Sequence, residues 1–243
     1  MKRLLSSMFV LGVAGTFLIP AAASAQEGSR QDASLLFTES IPGRSTGVEL
    51  RIDYVNPDDP AAKPPAVRRV VVELAHGARY DTSVPELCPA SDAELMSVGP
   101  AACPPGSVVG RGVITLDTGI PGPGRIIASD TTFFNDTGEL IFLNRERQSG
   151  GHVVVRGHVG ERTIVSEAPF LPGTPPDGTA VDTVEITEFP ISSAVGNYIT
   201  TPPRCPKSRH WVNRLTFTYD DGVTQLVTTD SPCVKPKKAK HKK

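Results

Sequence analysis

Apolar side chains along this chain recur at every second position far more often than at every third or fourth. In Val48-Glu-Leu-Arg-Ile-Asp-Tyr54, Val48, Leu50, Ile52 and Tyr54 fall on one side of an extended backbone, and Glu49, Arg51 and Asp53 on the other. That alternation predicts a half-buried strand. Similar runs occupy residues 35–39, 69–74, 108–116, 126–134, 139–143, 153–159, 163–166, 181–189, 214–219 and 223–229. Turn formers separate them: Asn56-Pro-Asp-Asp-Pro60, Gly119-Ile-Pro-Gly-Pro-Gly124, Asn135-Asp-Thr-Gly138, the Pro/Gly-rich 172–178, and Asp221-Gly222. Many short β-branched strands punctuated in this way predict an all-β protein, an antiparallel β-sandwich of the Ig-like or jelly-roll-like kind.

Two local signals are more specific. Ser91-Asp-Ala-Glu94 fits a capping box, in which the Ser oxygen accepts from an early helical amide and the Glu side chain returns to the cap. It predicts one short helix between Cys88 and Cys103, running to about Met96 and ended by Gly99-Pro100. Asp221-Gly222 suits a two-residue hairpin loop, whose register places Phe217 opposite Leu226. No segment repeats at a fixed period, which leaves solenoids and propellers without support.

The first residues follow another pattern. Met1-Lys2-Arg3 precedes an apolar stretch from Met8 to Ile19 and the small-residue run Pro20-Ala-Ala-Ala-Ser-Ala25, the three parts of a secretory signal. Residues 1–25 are therefore expected to be a signal peptide cleaved before Gln26. The alternative, a membrane anchor, needs a longer apolar run. This places the mature chain outside the cytoplasmic membrane, secreted or associated with the cell envelope, with residues 26–234 as a single domain.

Export gives the four cysteines a meaning. An even set in an oxidising compartment reads first as disulfides, and pairing Cys88 with Cys103 and Cys205 with Cys233 closes segments that turn signals already fold back. On the loop-entropy view each bridge contributes roughly 3 kcal/mol. A zinc site is the competing use, but no Cys-x-x-Cys knuckle occurs and no His stands at ligand spacing, so neither metal nor cofactor is expected.

Charge adds one asymmetry. The chain carries −1 overall; without Lys2 and Arg3 the charge is −3, and without the six tail lysines residues 26–234 carry −9. The tail 235–243 has no apolar residue but Ala239 and is expected to be disordered. Its Lys235, Lys237, Lys238, Lys240, Lys242 and Lys243 are candidates for holding a polyanion, such as an anionic envelope polymer, through counterion release. The plainer reading is a solvated tail that rests on its own acidic domain.

Chemistry is sparse. Gly106-Ser107-Val-Val-Gly110 has the wrong spacing for a nucleophile elbow. His76, His152, His158 and His210 form no tight metal pattern; His152 and His158 share a strand face but stand roughly 20 Å apart. Glu185 and Glu188 lie on opposite faces of their strand, and Asp220-Asp221 belongs to a turn. Asn135-Asp-Thr137 is a glycosylation sequon. Trp211, in phase with Leu215, Phe217 and Tyr219, reads as a core residue before a stacking platform. No catalytic residue is assigned.

Pro203-Arg-Cys-Pro206, Trp211, Phe217-Thr-Tyr-Asp-Asp-Gly222 and Pro232-Cys233, together with Leu87-Cys-Pro89 and Ala102-Cys-Pro-Pro-Gly-Ser107-Val-Val-Gly110, resemble secreted actinobacterial-type β-sandwich proteins with a four-cysteine framework. The resemblance covers about half the chain, implies an exported source and brings no activity with it. The expected function is a non-enzymatic binding or structural role at the envelope. The alternative is a secreted hydrolase whose carboxylates or histidines converge only in space.

Overall fold

The computed structural model describes residues 28–175 and 178–235. The expected signal peptide, and the tail beyond Lys235, lie outside the described residues.

Fifteen strands are described: β1 (Gln31–Phe37), β2 (Val48–Tyr54), β3 (Val67–Glu73), β4 (Arg79–Tyr80), β5 (Val108–Asp117), β6 (Ile126–Asp136), β7 (Glu139–Glu146), β8 (His152–Val159), β9 (Thr163–Glu167), β10 (Ala180–Glu188), β11 (Ser192–Ser193), β12 (Gly196–Asn197), β13 (Ile199–Thr200), β14 (His210–Tyr219) and β15 (Thr224–Pro232). Helix α1 (Asp92–Val98) lies between Cys88 and Cys103, as the capping box predicts. Both halves of the box are made: Ser91 Oγ accepts from the Glu94 amide, and Glu94 Oε2 accepts from the Ser91 amide at 2.8 Å. Gly99, with φ of 74°, ends the helix. The all-β antiparallel class therefore holds, with its single short helix in the expected place.

Eleven strands form one sheet in the order β1-β2-β10-β5-β6-β7-β8-β9-β3-β14-β15, every pair antiparallel. A sheet of this width twists until its ends approach. Here they meet, and opposite walls of a near-barrel face each other across one core like the layers of a sandwich. The seam between β1 and β15 is made largely by side chains. Ser231 Oγ accepts from the Phe37 amide at 3.1 Å, Thr229 Oγ1 donates to Leu35 O at 3.1 Å, and Gln225 Oε1 accepts from the Arg30 amide at 3.0 Å. Asn213, fully buried on β14, reaches across with Nδ2 to Leu35 O and Ser231 Oγ while its Oδ1 accepts from the Ala75 amide. Sheet edges are thereby covered rather than left open to another chain.

Alternation places Leu35, Val48, Ile52, Phe133, Leu140, Ile164, Leu215 and Phe217 inside. Two edge-to-face pairs tie β1 and β2 to β14: Phe37 with Trp211 at 5.7 Å between centroids, and Tyr54 with Phe217 at 5.9 Å. Trp211 is a core residue, its indole N–H donating to Arg204 O at 3.0 Å.

A second, smaller core lies outside the barrel. Phe134, Ile141 and Leu143, on the outer faces of β6 and β7, pack under Leu95 of α1 and the Cys88–Cys103 bridge. The wall there is apolar on both faces, which is why 139–143 reads as Glu-Leu-Ile-Phe-Leu with little alternation. The second bridge, Cys205–Cys233, closes the open end of the β14–β15 hairpin.

That hairpin departs from expectation in register. Phe217 faces Gln225, and Leu226 faces Thr216. The loop uses three residues, Asp220 to Gly222, closed by the Tyr219 amide donating to Val223 O, with Gly222 at φ of 83°. A left-handed third loop residue is the usual solution for a three-residue hairpin, and Gly222 fills that position instead of a two-residue turn.

Candidate functional site

The barrel is not completely filled. A cavity of about 190 Å³ runs inside it, lined by Leu50, Ile52, Val70, Val72, Ile114, Leu116, Phe142, Val155, Val181, Val184 and Ile186 among others, with Ser129, Asn144 and Ser166 on its walls. Its apolar wall faces open space instead of packed side chains, and a molecule that fills the space gains contact with that wall.

The cavity opens beside the segment between β9 and β10. Arg68, Glu167, Pro169, Leu171 and Thr179 form its rim, and Glu167 and Pro169 are exposed. Arg68 pairs with both carboxylate oxygens of Asp220 and lies 5.3 Å over the ring of Phe170, which is 62% exposed. Lys63 Nζ donates to Thr174 O at 3.1 Å and braces the segment that leads back to the rim.

At the other end is Glu188. In β10 the inward phase is Val184, Ile186, Glu188, so the last inward position carries a carboxyl. Seven residues separate it from Val181 near the rim, roughly 20 Å along the strand. Its neighbours are Val48 on β2 and Gly110 on β5. The sheet is tight at Gly110: a Cβ there would come within 2.7 Å of Thr187 O and 3.1 Å of Glu188 Cα. Only glycine lets β5 approach Glu188 so closely.

Two tyrosines stand over the carboxyl. Tyr80 on β4 and Tyr198, just before β13, are brought together by the β4–β13 pair, with ring centroids 5.8 Å apart. Tyr80 Oη donates to Glu188 Oε1 at 3.3 Å. The Tyr198 hydroxyl acts on the same carboxyl, through its charge and as a second, longer-range hydrogen-bond donor. Tyr198 Oη and Glu188 Oε2 are both buried, and neither has a partner within 3.5 Å among the described residues, so these two side chains hold each other at longer range. Burial pushes the Glu188 carboxyl up to about 7, against the two hydroxyls, which favour its charged form. The tyrosines are pushed well above their ordinary value, by burial first and the Glu188 charge second, and keep their protons.

The residues singled out in the sequence are dispersed. Cys88, Cys103, Cys205 and Cys233 form the two expected bridges. Lys235 is exposed, whereas Lys237, Lys238, Lys240, Lys242 and Lys243 lie outside the described residues. Ser107 is buried at the turn into β5, its hydroxyl donating to Pro104 O. His76 and His158 are exposed, His152 packs against Gly99, and His210 Nδ1 lies 3.0 Å from Ser208 O. Glu185 points outward and pairs with Arg51. Asn135 of the sequon is fully buried and donates to Thr82 O and Glu86 O. Glu188 was visible as a member of the Val184, Ile186 phase. Tyr80 and Tyr198 carry no comparable signal, because Tyr80 belongs to a strand of only two residues and Tyr198 directly precedes another.

No family model matches this chain, and no curated protein matches it. Among solved structures, a chain described as "AvmM Catalyzes Macrocyclization in Alchivemycin A Biosynthesis" aligns with 86% of this one and 92% of its own length, at 8% identity and a TM-score of 0.27. A likeness that weak carries no argument.

Proposed function

We propose that this chain is an exported, non-enzymatic binding protein that holds a small, mainly apolar molecule inside its barrel. The observation that carries the reading is the apolar cavity, open at a rim and ending at one buried carboxyl. Its volume exceeds the about 150 Å³ of an apolar cavity known to accept benzene and falls below the roughly 300–1,000 Å³ of drug-sized sites, which limits the ligand to a few fused or linked carbons. The signal-like N-terminus and the two bridges support work in an oxidising compartment. No helix among the described residues is long and apolar enough to cross a membrane.

Toluene titrated into the disulfide-intact protein should raise the thermal midpoint with the logarithm of its concentration above Kd, by the linkage that about 2.7 kcal/mol is gained at 100 times Kd. Ile186→Phe, which fills the cavity, should abolish the effect. Absence of saturable binding by the unmodified protein would overturn the reading. The hydrolase alternative asks for two carboxylates or histidines at close range; the acidic residues lining this cavity, Glu167 and Glu188, stand at its opposite ends. A hydrolytic activity lost in Glu188→Gln without loss of folding would favour it. The lysine tail is proposed to retain the protein on anionic polymer, and deleting residues 235–243 should remove salt-sensitive binding to a polyanion column.

A further inference from the structure

At the far end of the cavity Glu188 Oε2 and Tyr198 Oη are shut away from any guest, so a polar group on a bound molecule is better placed at the mouth, beside water. In β3 the inward phase runs Val72, Val70, Arg68, and the last inward position therefore brings a guanidinium to the rim. Glu167, also on the rim, stands opposite Arg69 in the outward phase, and the Thr179 hydroxyl is spent on Pro172 O. Arg68 gives Nε and Nη2 to the two carboxylate oxygens of Asp220, the second at 2.7 Å, and no described residue takes Nη1. Nη1 is not enclosed: solvent reaches it, and the side chain is 30% exposed. Asp220 itself stands behind the guanidinium, off the cavity wall. Resting on the ligand-binding reading above, we propose that the guest keeps its apolar body inside the barrel and holds a neutral acceptor oxygen, that of a ketone or ester, against Arg68 Nη1 at the mouth.

The ion pair decides which head groups fit. Asp220 already occupies the two-pronged edge of the guanidinium and offsets its charge, so a carboxylate finds neither the fork nor a net attraction. An ammonium meets only donors on Arg68, because the carboxylate lies behind it. A carbonyl needs one donor and brings no charge, and Nη1 supplies that donor. Phe170, 62% exposed, lies 5.3 Å from the guanidinium carbon and supports the plane of the group at the mouth. Size selects as well: a cavity of about 190 Å³, against the roughly 150 Å³ that accepts benzene, takes one ring with a short substituent.

Acetophenone, α-methylstyrene and benzoate share one skeleton and end in a carbonyl oxygen, a methylene and a charged carboxylate respectively. Calorimetric titration of the disulfide-intact protein should show the first two binding and benzoate failing to bind. Arg68→Met, which keeps an apolar stem without the donor, should lower the ratio of acetophenone to α-methylstyrene affinity about tenfold. Asp220→Asn, which leaves the guanidinium its full charge, should admit benzoate. An unchanged ratio in Arg68→Met, or benzoate binding the unmodified protein as tightly as Asp220→Asn, would reject the head-group assignment while the cavity reading stands. Should Arg68→Met not fold, the benzoate comparison decides alone. If neither neutral probe binds the unmodified protein, the cavity reading has itself failed.

Discussion

The amide of Phe37 donates to the Ser231 hydroxyl at 3.1 Å, joining the first strand of the chain to the last across 194 positions of sequence. Ser231 is fully buried, and its oxygen also lies 3.3 Å from Leu35 O. One side chain thus does at the seam what a ladder of backbone bonds does elsewhere in the sheet.

Ser231→Ala should therefore cost about 1–3 kcal/mol, the penalty for leaving a buried amide unpaired, although no apolar contact is removed. Urea unfolding reads the cost directly. Amides of β1 should exchange faster while those of β6 and β7 keep their protection; an unchanged midpoint would show that the seam is held by packing alone.

Glu188 sets a direction for pH. Its folded-state value of about 7 lies above the ordinary 4.5, so between these limits the folded protein keeps a proton that the unfolded chain has released. Stability from this group is complete below about pH 4.5, falls as the pH rises through 7 and is constant above, with a total on the order of 3 kcal/mol. The groups acting on it are the Tyr80 and Tyr198 hydroxyls. Glu188→Gln should flatten that part of the stability profile; an identical profile in the variant would rule the site out as its origin.

Asn135 should remain unmodified even when the protein is exported from a host that glycosylates Asn-x-Thr, because its amide already donates to Thr82 O at 2.9 Å and Glu86 O at 3.1 Å inside the fold. Asn135→Ala removes those donors and should destabilise by about 1–3 kcal/mol. Mass mapping of the exported protein decides the first point and denaturation the second.

Replacing Cys88 and Cys103 together by Ala should cost about 2–4 kcal/mol and loosen α1, yet leave toluene binding in place, since the bridge packs on the outer face of β6 and β7. Ser91→Ala should add roughly 1 kcal/mol of the same kind by uncapping the helix. Loss of binding in the bridge variant would show that the small core and the cavity are coupled.

Local chemistry was legible in the sequence and distant geometry was not. The capping box, the alternation that buries Trp211, Leu215 and Phe217, and the pairing of neighbouring cysteines each depend on residues close in the chain. Strand order depends on contacts such as β3 lying between β9 and β14, which no short pattern encodes. The site lies between the two. Alternation separates Glu185 from Glu188, but only the closed sheet shows that the inward face belongs to Glu188, and only the β4–β13 pair brings Tyr80 and Tyr198 to it. The hairpin misread by one register step has a similar cause: Asp220 and Asp221 both favour turns, and the ion pairs of Asp220 with Arg68 and of Asp221 with Arg30 belong to the longer loop.

The two-sided burial of β6 and β7 divides the mechanics of the molecule. Behind those strands sits packed hydrocarbon under a sulfur clasp, whereas β2 and β10 turn Glu49, Arg51, Asp53 and Glu185 to water. The first wall is therefore held between two packed layers, and the second has packing on its inner face alone.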